Sequence, residues 1–245
     1  MAGHSHAANV KRRKDAVDAK RGKIFSKCAR LIISAARQGG GDLDQNLKLK
    51  YAVEAAKAAN MPKDTIDRAI KKGAGAKGGD DFEELVYEGY AQGGVALLVC
   101  CLTDNRKRTA PDIKHLFDKG GGNLGATGSV AFMFDKKAIL AIEPEGRDED
   151  ALTEMALEVG ADDVEISPDS AIFYAGPEDF IAVKSGLEER EVKFLSAEIG
   201  YIPQNTVALG TEAEAKKVLR LVDLLEDNDD VQNVFGNYEI PDEWL

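Results

Sequence analysis

The chain is poor in the residues on which extracellular and membrane proteins depend. It has three cysteines in 245 residues, two of them adjacent at Cys100 and Cys101. An odd number cannot form a closed disulfide framework, and so few thiols are typical of a reducing compartment. The longest apolar run, 95–102, is far shorter than the roughly 20 residues of a membrane-spanning helix, and the first residues contain no hydrophobic signal core. We therefore expect a soluble cytoplasmic protein without a membrane partner.

Residues that carry most enzyme chemistry are equally sparse. Of the three histidines, His4 and His6 have only Cys28 as a conceivable third metal ligand, and this spacing matches no closed zinc site. His115 falls off the apolar face of a helix predicted at 110–119, which favours a solvated side chain over a catalytic base. No pair of nucleophile and base can be nominated. The sequence therefore predicts a protein that is not an enzyme and has no cofactor, metal or small-molecule substrate.

The charge is divided between two parts of the chain. The net charge of −11 combines an N-terminal block, 1–79, with 18 Lys and Arg against 7 Asp and Glu, and a remainder with 14 against 36. A block of net +11 joined to a body of net −22 is the pattern expected when one domain meets a polyanion that the rest repels. The alternative is that the two blocks dock on each other and neutralise their charge.

The basic block is predicted to be helical, because its apolar residues recur at helical spacing. Asp42 or Asp44 is the expected N-cap of the second helix, and the glycine-rich stretch 73–79 is typical of a linker. We therefore place a basic helical nucleic-acid-binding domain at 1–79. The predicted helices cover 23–38, 43–59 and 62–72.

The acidic remainder alternates between strand and helix patterns. Its first part, 80–135, is predicted to form two strands, a helix and a further strand at 128–134. The next part, 136–206, has the complete order βαββαβ of a ferredoxin-like domain. A helix at 211–226 and a final strand are predicted to return to the first part and to complete its α+β domain. The sequence thus predicts a multidomain α and α+β fold. An N-terminal helical bundle is followed by two α+β ferredoxin-like domains, the third (136–206) inserted in a discontinuous middle domain (80–135 plus 207–245).

Cations in the basic block are spaced to meet phosphates. If the first helix extends back to Lys20, its cations at helical spacing fall within roughly 80° of one another, away from the apolar face. Such a stripe suits a nucleic-acid backbone, where affinity comes from counterion release. The alternative is an ordinary solvated helix face. The candidate phosphate contacts in this block are Lys11, Arg12, Arg13, Lys14, Lys20, Arg21, Lys23, Lys27 and Arg30.

A second, smaller basic cluster lies in the acidic body. Arg106 and Arg108 precede Thr109, which together with Asp112 resembles the start of a helix. Both arginines are therefore expected in a loop beside a helix N-terminus, where they are further candidate contacts to nucleic acid. The alternative is an ordinary solvated loop.

A glycine-rich run, 120–129, resembles a phosphate-binding loop. It lacks the lysine of a P-loop and leads from a helix into a strand, the reverse order. We therefore interpret it as a helix end and turn, and a backbone contact to RNA stays open. Beyond it, Val130, Phe132 and Phe134 alternate along the predicted strand. We interpret them as core residues rather than a stacking platform for bases, because the body is acidic and lacks an RNP pattern.

Segments distributed along the chain form a specific pattern, and they include Asp18–Phe25, Gly39–Gly41, Ala58–Asp64, Ile70–Gly73, Leu102–Arg106, Gly122–Gly125, Ile202–Gln204 and Asn237–Pro241. Together they resemble the YebC/PmpR family. With the opening Met-Ala-Gly-His-Ser, the resemblance covers essentially the whole chain. Where members usually continue Lys-Trp-Ala-Asn-Ile, however, this chain has His-Ala-Ala-Asn-Val at 6–10, without that cation and aromatic.

The resemblance implies three domains, no enzymatic cofactor, and DNA-binding transcriptional regulation. It also implies a second role, since relatives include a mitochondrial translational activator of cytochrome c oxidase and bacterial proteins linked to ribosomes stalled on proline-rich sequences. Two hypotheses follow: a regulator that binds promoter DNA, and a translation factor that binds ribosomal RNA or the ribosome through the same helices. The third, a protein-interaction scaffold, predicts no salt-sensitive binding to either nucleic acid.

Overall fold

The computed structural model describes residues 17–75, 82–241 and 244. They fall into two compact units, one made of 17–75 and 136–200 and the other of 82–135 with the residues from 201 onward. In chain order the elements are α1 (Val17–Gly39), α2 (Leu47–Ala58), α3 (Lys63–Gly75), β1 (Glu83–Tyr90), β2 (Ala96–Thr103), α4 (Arg106–Lys119), β3 (Asn123–Leu124), β4 (Phe134–Ile142), α5 (Glu149–Val159), β5 (Asp163–Ile166), β6 (Ala171–Ala175), α6 (Phe180–Glu188), β7 (Phe194–Pro203), β8 (Val207–Ala208), α7 (Glu212–Glu226), β9 (Val231–Gly236) and β10 (Tyr238–Glu239).

The N-terminal part is a bundle of three helices, as the hydrophobic spacing predicted. The expected cap of α2 was wrong: neither Asp42 nor Asp44 but Asn46 caps the helix, because its buried side chain accepts the N–H of Leu49 at 3.0 Å. The Asn46 amide also donates to the Ala35 carbonyl at 2.8 Å, which ties α2 to α1. The buried core residues of the bundle are Cys28, Ile32, Ala35, Ala36, Leu49, Val53, Ala56, Met61, Ile66 and Ala69.

The bundle packs tightly at the end of α3. A Cβ atom at Gly73 would lie 2.6 Å from the carbonyl oxygen of Ile33, so only glycine allows this approach of α3 to α1. Gly73 therefore belongs to the helix, which continues to Gly75, and the predicted start of the linker at this residue was wrong.

Residues 136–200 contain a ferredoxin-like sheet. Its strand order is β5-β6-β4-β7, which is that of the split βαβ fold, and β6 runs antiparallel to both β4 and β5. Helices α5 and α6 contribute Leu152, Phe180 and Leu187 to a core in which these side chains are fully buried. The period-2 and period-3.6 patterns of the sequence predicted these elements to within a few residues.

The other unit is built on a sheet of order β3-β1-β2-β9, with α4 and α7 packed on one face. The last long strand pairs with β2, with Val234 opposite Val99. The strand predicted at 128–134 was wrong, because 128–133 form a loop with a short 3-10 turn at Ala131–Met133. The edge strand is β3, which pairs with β1. The sheet is thus antiparallel and helix-covered, but its strand order differs from the ferredoxin-like order expected for this domain.

Within the first unit, a buried ion pair joins α2 to the inserted segment. The side chain of Lys184 on α6 is 2% exposed, and its Nζ donates to Glu54 at 2.8 Å and to Glu188 at 2.5 Å. Burial opposes ionisation of Glu54, but Lys184 and Lys57 outweigh it and lower the pKa of this carboxyl. The acid of the pair comes from the basic bundle and the cation from the acidic segment, so this contact does not follow the charges of the two blocks.

We expect Glu54 and Lys184 to respond differently to removal of charge. Glu54→Gln leaves the buried ammonium with Glu188 alone and should lower the free energy of unfolding by about 1–3 kcal/mol. Lys184→Met keeps an apolar stem of similar size and leaves Glu54 with Lys57, so its stability should stay within about 1 kcal/mol of wild type. Urea unfolding measures both values. Equal decreases in the free energy of unfolding of the two variants would contradict the interpretation that Glu54→Gln destabilises the protein by leaving the buried Lys184 cation with one partner fewer.

The insertion of a third domain, predicted at 136–206, remains a prediction; the deletion that tests it removes 136–200, because residues from 201 onward group with the middle unit. The backbone N–H of Gln204 donates to the Met133 carbonyl at 2.8 Å, and Tyr201 packs edge-on against Phe235 at 5.6 Å. All four residues that form these contacts remain in a chain in which 136–200 are replaced by a short glycine linker. We expect its middle domain to unfold cooperatively and to keep the amide protection of β2 and β9 in hydrogen exchange. Loss of that protection would refute an independent middle domain.

Candidate nucleic-acid interface

Helix α1 separates a cationic face from a packing face. Lys23, Lys27 and Arg30 are spaced i, i+4 and i+7, and therefore lie within roughly 60° of one another on the helix. Lys23 is exposed and the other two are half-buried, whereas Cys28 and Ile32 point into the bundle core. The structure thus brings three of the predicted contacts onto one face. Lys20 and Arg21 lie on the same helix, but their side chains are outside the part described, as are the four residues of the predicted cluster Lys11, Arg12, Arg13 and Lys14.

The bundle carries a further group of exposed cations that were not predicted as contacts. They lie on α3, whose Ile66, Ala69 and Gly73 are buried against the rest of the bundle. The signal was present in the helical spacing of this segment, but its cations are less dense in sequence than those at 11–30. These exposed residues are Lys63, Arg68, Lys71 and Lys72.

The two predicted contacts of the acidic body have different environments. Both belong to the first turn of α4, because the helix is capped by Asn105, which accepts the N–H of Arg108 at 3.2 Å. The expected loop with Thr109 as the cap was therefore wrong; Thr109 is buried and its hydroxyl donates to Asp230 at 2.8 Å. Both arginines are exposed to solvent, and Arg108 in addition forms ion pairs within the protein.

Arg108, whose side chain is 49% exposed, is the cation of a hydrogen-bond network around the buried carboxylate of Asp230. Its Nη2 atom lies 2.9 Å from Asp230 and 3.0 Å from Asp104. Burial opposes ionisation of Asp230, but the hydrogen bonds from Arg108, Thr109 and Thr103 outweigh it and lower the pKa of this carboxyl. Arg108 thus already serves to fasten the start of α4 to the residue before β9.

The glycine-rich loop after β3 does surround an anion, and that anion is the protein's own Glu88. The Glu88 side chain on β1 is 4% exposed. It accepts the backbone N–H groups of Gly128 at 2.6 Å, Val130 at 2.7 Å and Ala131 at 2.8 Å. Burial opposes ionisation, but these N–H donors outweigh it and lower the pKa of the carboxyl. The amides that could hold a phosphate are therefore occupied by a carboxylate.

The three apolar residues that alternate in the sequence of this loop differ in burial. Val130 and Phe134 are buried as expected, but Phe132 is 70% exposed. The prediction of a core position for Phe132 was wrong, because the 3-10 turn at Ala131–Met133 replaces the two-residue period of a strand. The result is an aromatic ring on the surface of a loop fixed by Glu88.

Other ligand classes find no support in the part of the chain described. No group of three or more His, Cys, Asp or Glu side chains within 17–75, 82–241 and 244 is arranged to hold a metal ion. Burial raises the pKa of Cys28 to about 11, so this thiol is protonated at neutral pH. His115 is exposed on α4, as predicted. None of the helices described is long and apolar enough to cross a membrane.

We expect Glu88 to stabilise the fold only when it is ionised. Its pKa lies below the ordinary value of 4.5, so its contribution is complete above that pH and disappears as the pH falls through the lowered pKa. Glu88→Gln places an amide donor against backbone N–H groups and should lower the free energy of unfolding by about 1.5–3 kcal/mol at neutral pH.

The measurement is urea unfolding of wild type and Glu88→Gln over a pH series. The difference between the two proteins should be constant above pH 4.5 and should shrink at lower pH. A difference that persisted in acid would show that shape, and not the charge of Glu88, holds the loop. Glu84→Gln, at an exposed site on the same strand and face, is the matched control.

Comparison with known proteins places this architecture in a family. The model for the TACO1/YebC protein N-terminal domain matches residues 5–76, and the model for the TACO1/YebC second and third domain matches 82–238. Probable transcriptional regulatory proteins of Desulforapulum autotrophicum and Pseudomonas syringae are 51% and 52% identical over 99% of this chain and 98% of their own lengths. The crystal structure of a conserved hypothetical protein from Aquifex aeolicus, 48% identical, superposes with a TM-score of 0.84 and covers 92% of this chain and 93% of its own. The chain therefore belongs to the TACO1/YebC family.

Proposed function

We propose that this protein is a non-enzymatic, cytoplasmic regulator of gene expression that binds nucleic acid through its basic N-terminal helices. The observation that carries the proposal is the arrangement of α1, which packs through Cys28 and Ile32 and presents Lys23, Lys27 and Arg30 together on another face. A row of cations at this spacing matches phosphates along a backbone. The names of the relatives, probable transcriptional regulatory proteins, support DNA as the partner.

A second candidate is a ribosome-associated translation factor that binds structured RNA and relieves stalled translation. It is favoured by the chemistry of the exposed cations on α3, three of which are lysines: Lys63, Lys71 and Lys72. Lysine binds phosphate as a point charge, whereas base edges in the major groove are read mainly by bidentate Arg, Asn and Gln. Recognition of backbone and shape is common to proteins that bind structured RNA.

Reversal of the α1 cations tests the nucleic-acid interface. The triple variant Lys23→Glu, Lys27→Glu, Arg30→Glu should weaken binding to duplex DNA and to structured RNA. It should also reduce the slope of log affinity against log salt by about 1 for each phosphate that the helix no longer neutralises. The matched control reverses three exposed cations of α7, Lys216, Lys217 and Arg220, and changes the net charge equally. If both triple variants bound nucleic acid equally weakly, the loss would be explained by the change in net charge and not by the position of the α1 cations. Unchanged binding in the α1 variant would remove this face from the mechanism.

Crosslinking in growing cells distinguishes DNA from RNA as the partner. Recovery of promoter DNA from the wild-type protein is expected for a transcriptional regulator, and recovery of ribosomal RNA for a translation factor. The crosslinked nucleic acid should no longer be recovered when Lys11, Arg12, Arg13 and Lys14 are changed to Glu. Absence of both nucleic acids, together with binding that does not depend on salt, would favour the protein-interaction scaffold.

A further inference from the structure

Phe132 has an unusual position among the aromatic residues of this chain. All nine Phe, six Tyr and the single Trp lie within the described residues, and Phe132 alone among them is exposed. Single exposed apolar side chains are common on protein surfaces. Exposure by itself therefore identifies no site, and what matters is how the ring is held.

The backbone on both sides of Phe132 is fixed. The N–H of Ala131 donates to Glu88 at 2.8 Å, and the carbonyl of Met133 accepts the N–H of Gln204 at 2.8 Å. Three residues before Phe132, the carbonyl of Ser129 accepts the Tyr90 hydroxyl at 2.9 Å. A loop whose backbone is held in this way gives up little backbone entropy when a ligand covers the ring that it carries. The loop therefore presents a preorganised aromatic surface.

The surroundings of the ring restrict what it can bind. The sequence neighbours Val130 and Phe134 are buried, so Phe132 is the exposed large apolar side chain of the loop 120–134. Residues 120–134 contain no charged side chain, although the body of the protein is acidic. Glu88 occupies the backbone amides that could have held a phosphate. The contact that remains is the face of one ring, which is what an unpaired base needs for stacking.

We propose that Phe132 stacks on an unpaired base of the nucleic acid that the protein binds. This inference rests on the proposed function, because it takes nucleic acid as the ligand. It adds that the ligand has single-stranded bases and that Glu88 positions the loop that receives one of them. Base stacking is short-range and does not depend on counterion release, so its contribution can be separated from that of the cations.

The test measures binding of the full-length protein to an oligoadenylate strand and to the same strand annealed to its complement. Phe132→Ala should weaken single-strand binding by about 5- to 100-fold, with the salt slope unchanged, and should leave duplex binding unaltered. Phe132→Tyr keeps the ring and should bind as wild type. Leu157→Ala, which removes a side chain 76% exposed on α5, is the control for removal of exposed apolar surface.

A fluorescence measurement reports the contact itself. Trp244 is the only tryptophan, so Phe132→Trp in a Trp244→Phe background places the sole emitter in the loop. Its fluorescence should be quenched by the single strand and much less by the duplex.

The outcomes separate this inference from the proposed function. Unchanged single-strand binding in Phe132→Ala, or equal weakening with single strand and duplex, overturns stacking on an unpaired base. The proposed function survives that result if reversal of the α1 cations still weakens binding. A photoreactive phenylalanine analogue in place of Phe132 that crosslinked in cells to protein and not to nucleic acid would also overturn the inference. Absence of all nucleic-acid binding would overturn both.

Discussion

A carboxylate removed from water must be surrounded by donors, and the part of the structure around Glu88 depends on this constraint. Glu88 lies on β1 with its side chain 4% exposed. The donors come from a segment about 40 residues further along the chain, where Gly128, Val130 and Ala131 turn their N–H groups toward it. A β-ladder would commit such groups to a neighbouring strand. The loop forms instead, and Phe132 is on the surface for that reason.

Two other buried charges connect distant parts of the chain in the same way. Arg108 and Asp230 are 122 residues apart in sequence, and their ion pair fastens the first turn of α4 to the start of β9. Lys184 and Glu54 are 130 residues apart, and they join α6 to α2. Each pair contributes less net energy than its Coulomb attraction suggests, since Asp230 in one pair and Lys184 in the other lose most of their hydration. Their larger effect is on specificity, because a misplaced segment would leave a buried charge without its partner.

These long-range pairs explain which parts of the structure the sequence could predict. Helices and strands with strong periodicity, such as α1, α5 and β6, followed from local patterns. The start of α4 did not: Asn105 and Thr109 are both good caps, and the choice depends on Asp230, whose distance from Thr109 in space cannot be read from local sequence. The alternation of Val130, Phe132 and Phe134 matches the two-residue period of a strand. A strand does not form here because the backbone N–H groups of this segment bind Glu88. Local patterns predict helices and strands, whereas buried charges distant in sequence determine the start of α4 and the loop at 128–133.

The candidate site shows the same limit. The cations of α1 were predicted because charge and helical spacing are both local properties. The exposed ring was missed because Val130, Phe132 and Phe134 alternate as in a strand, and the acidic composition of the body argued against a stacking role for these residues. Screening weakens that argument, since at physiological salt a charge acts over about 8 Å. What a bound strand meets is therefore the local surface and not the net charge of a domain. The stretch 120–134 has no charged side chain of its own, and the Glu88 carboxylate that it encloses is held by three backbone N–H groups. Such a surface can approach a polyanion even in a protein whose total charge would repel it.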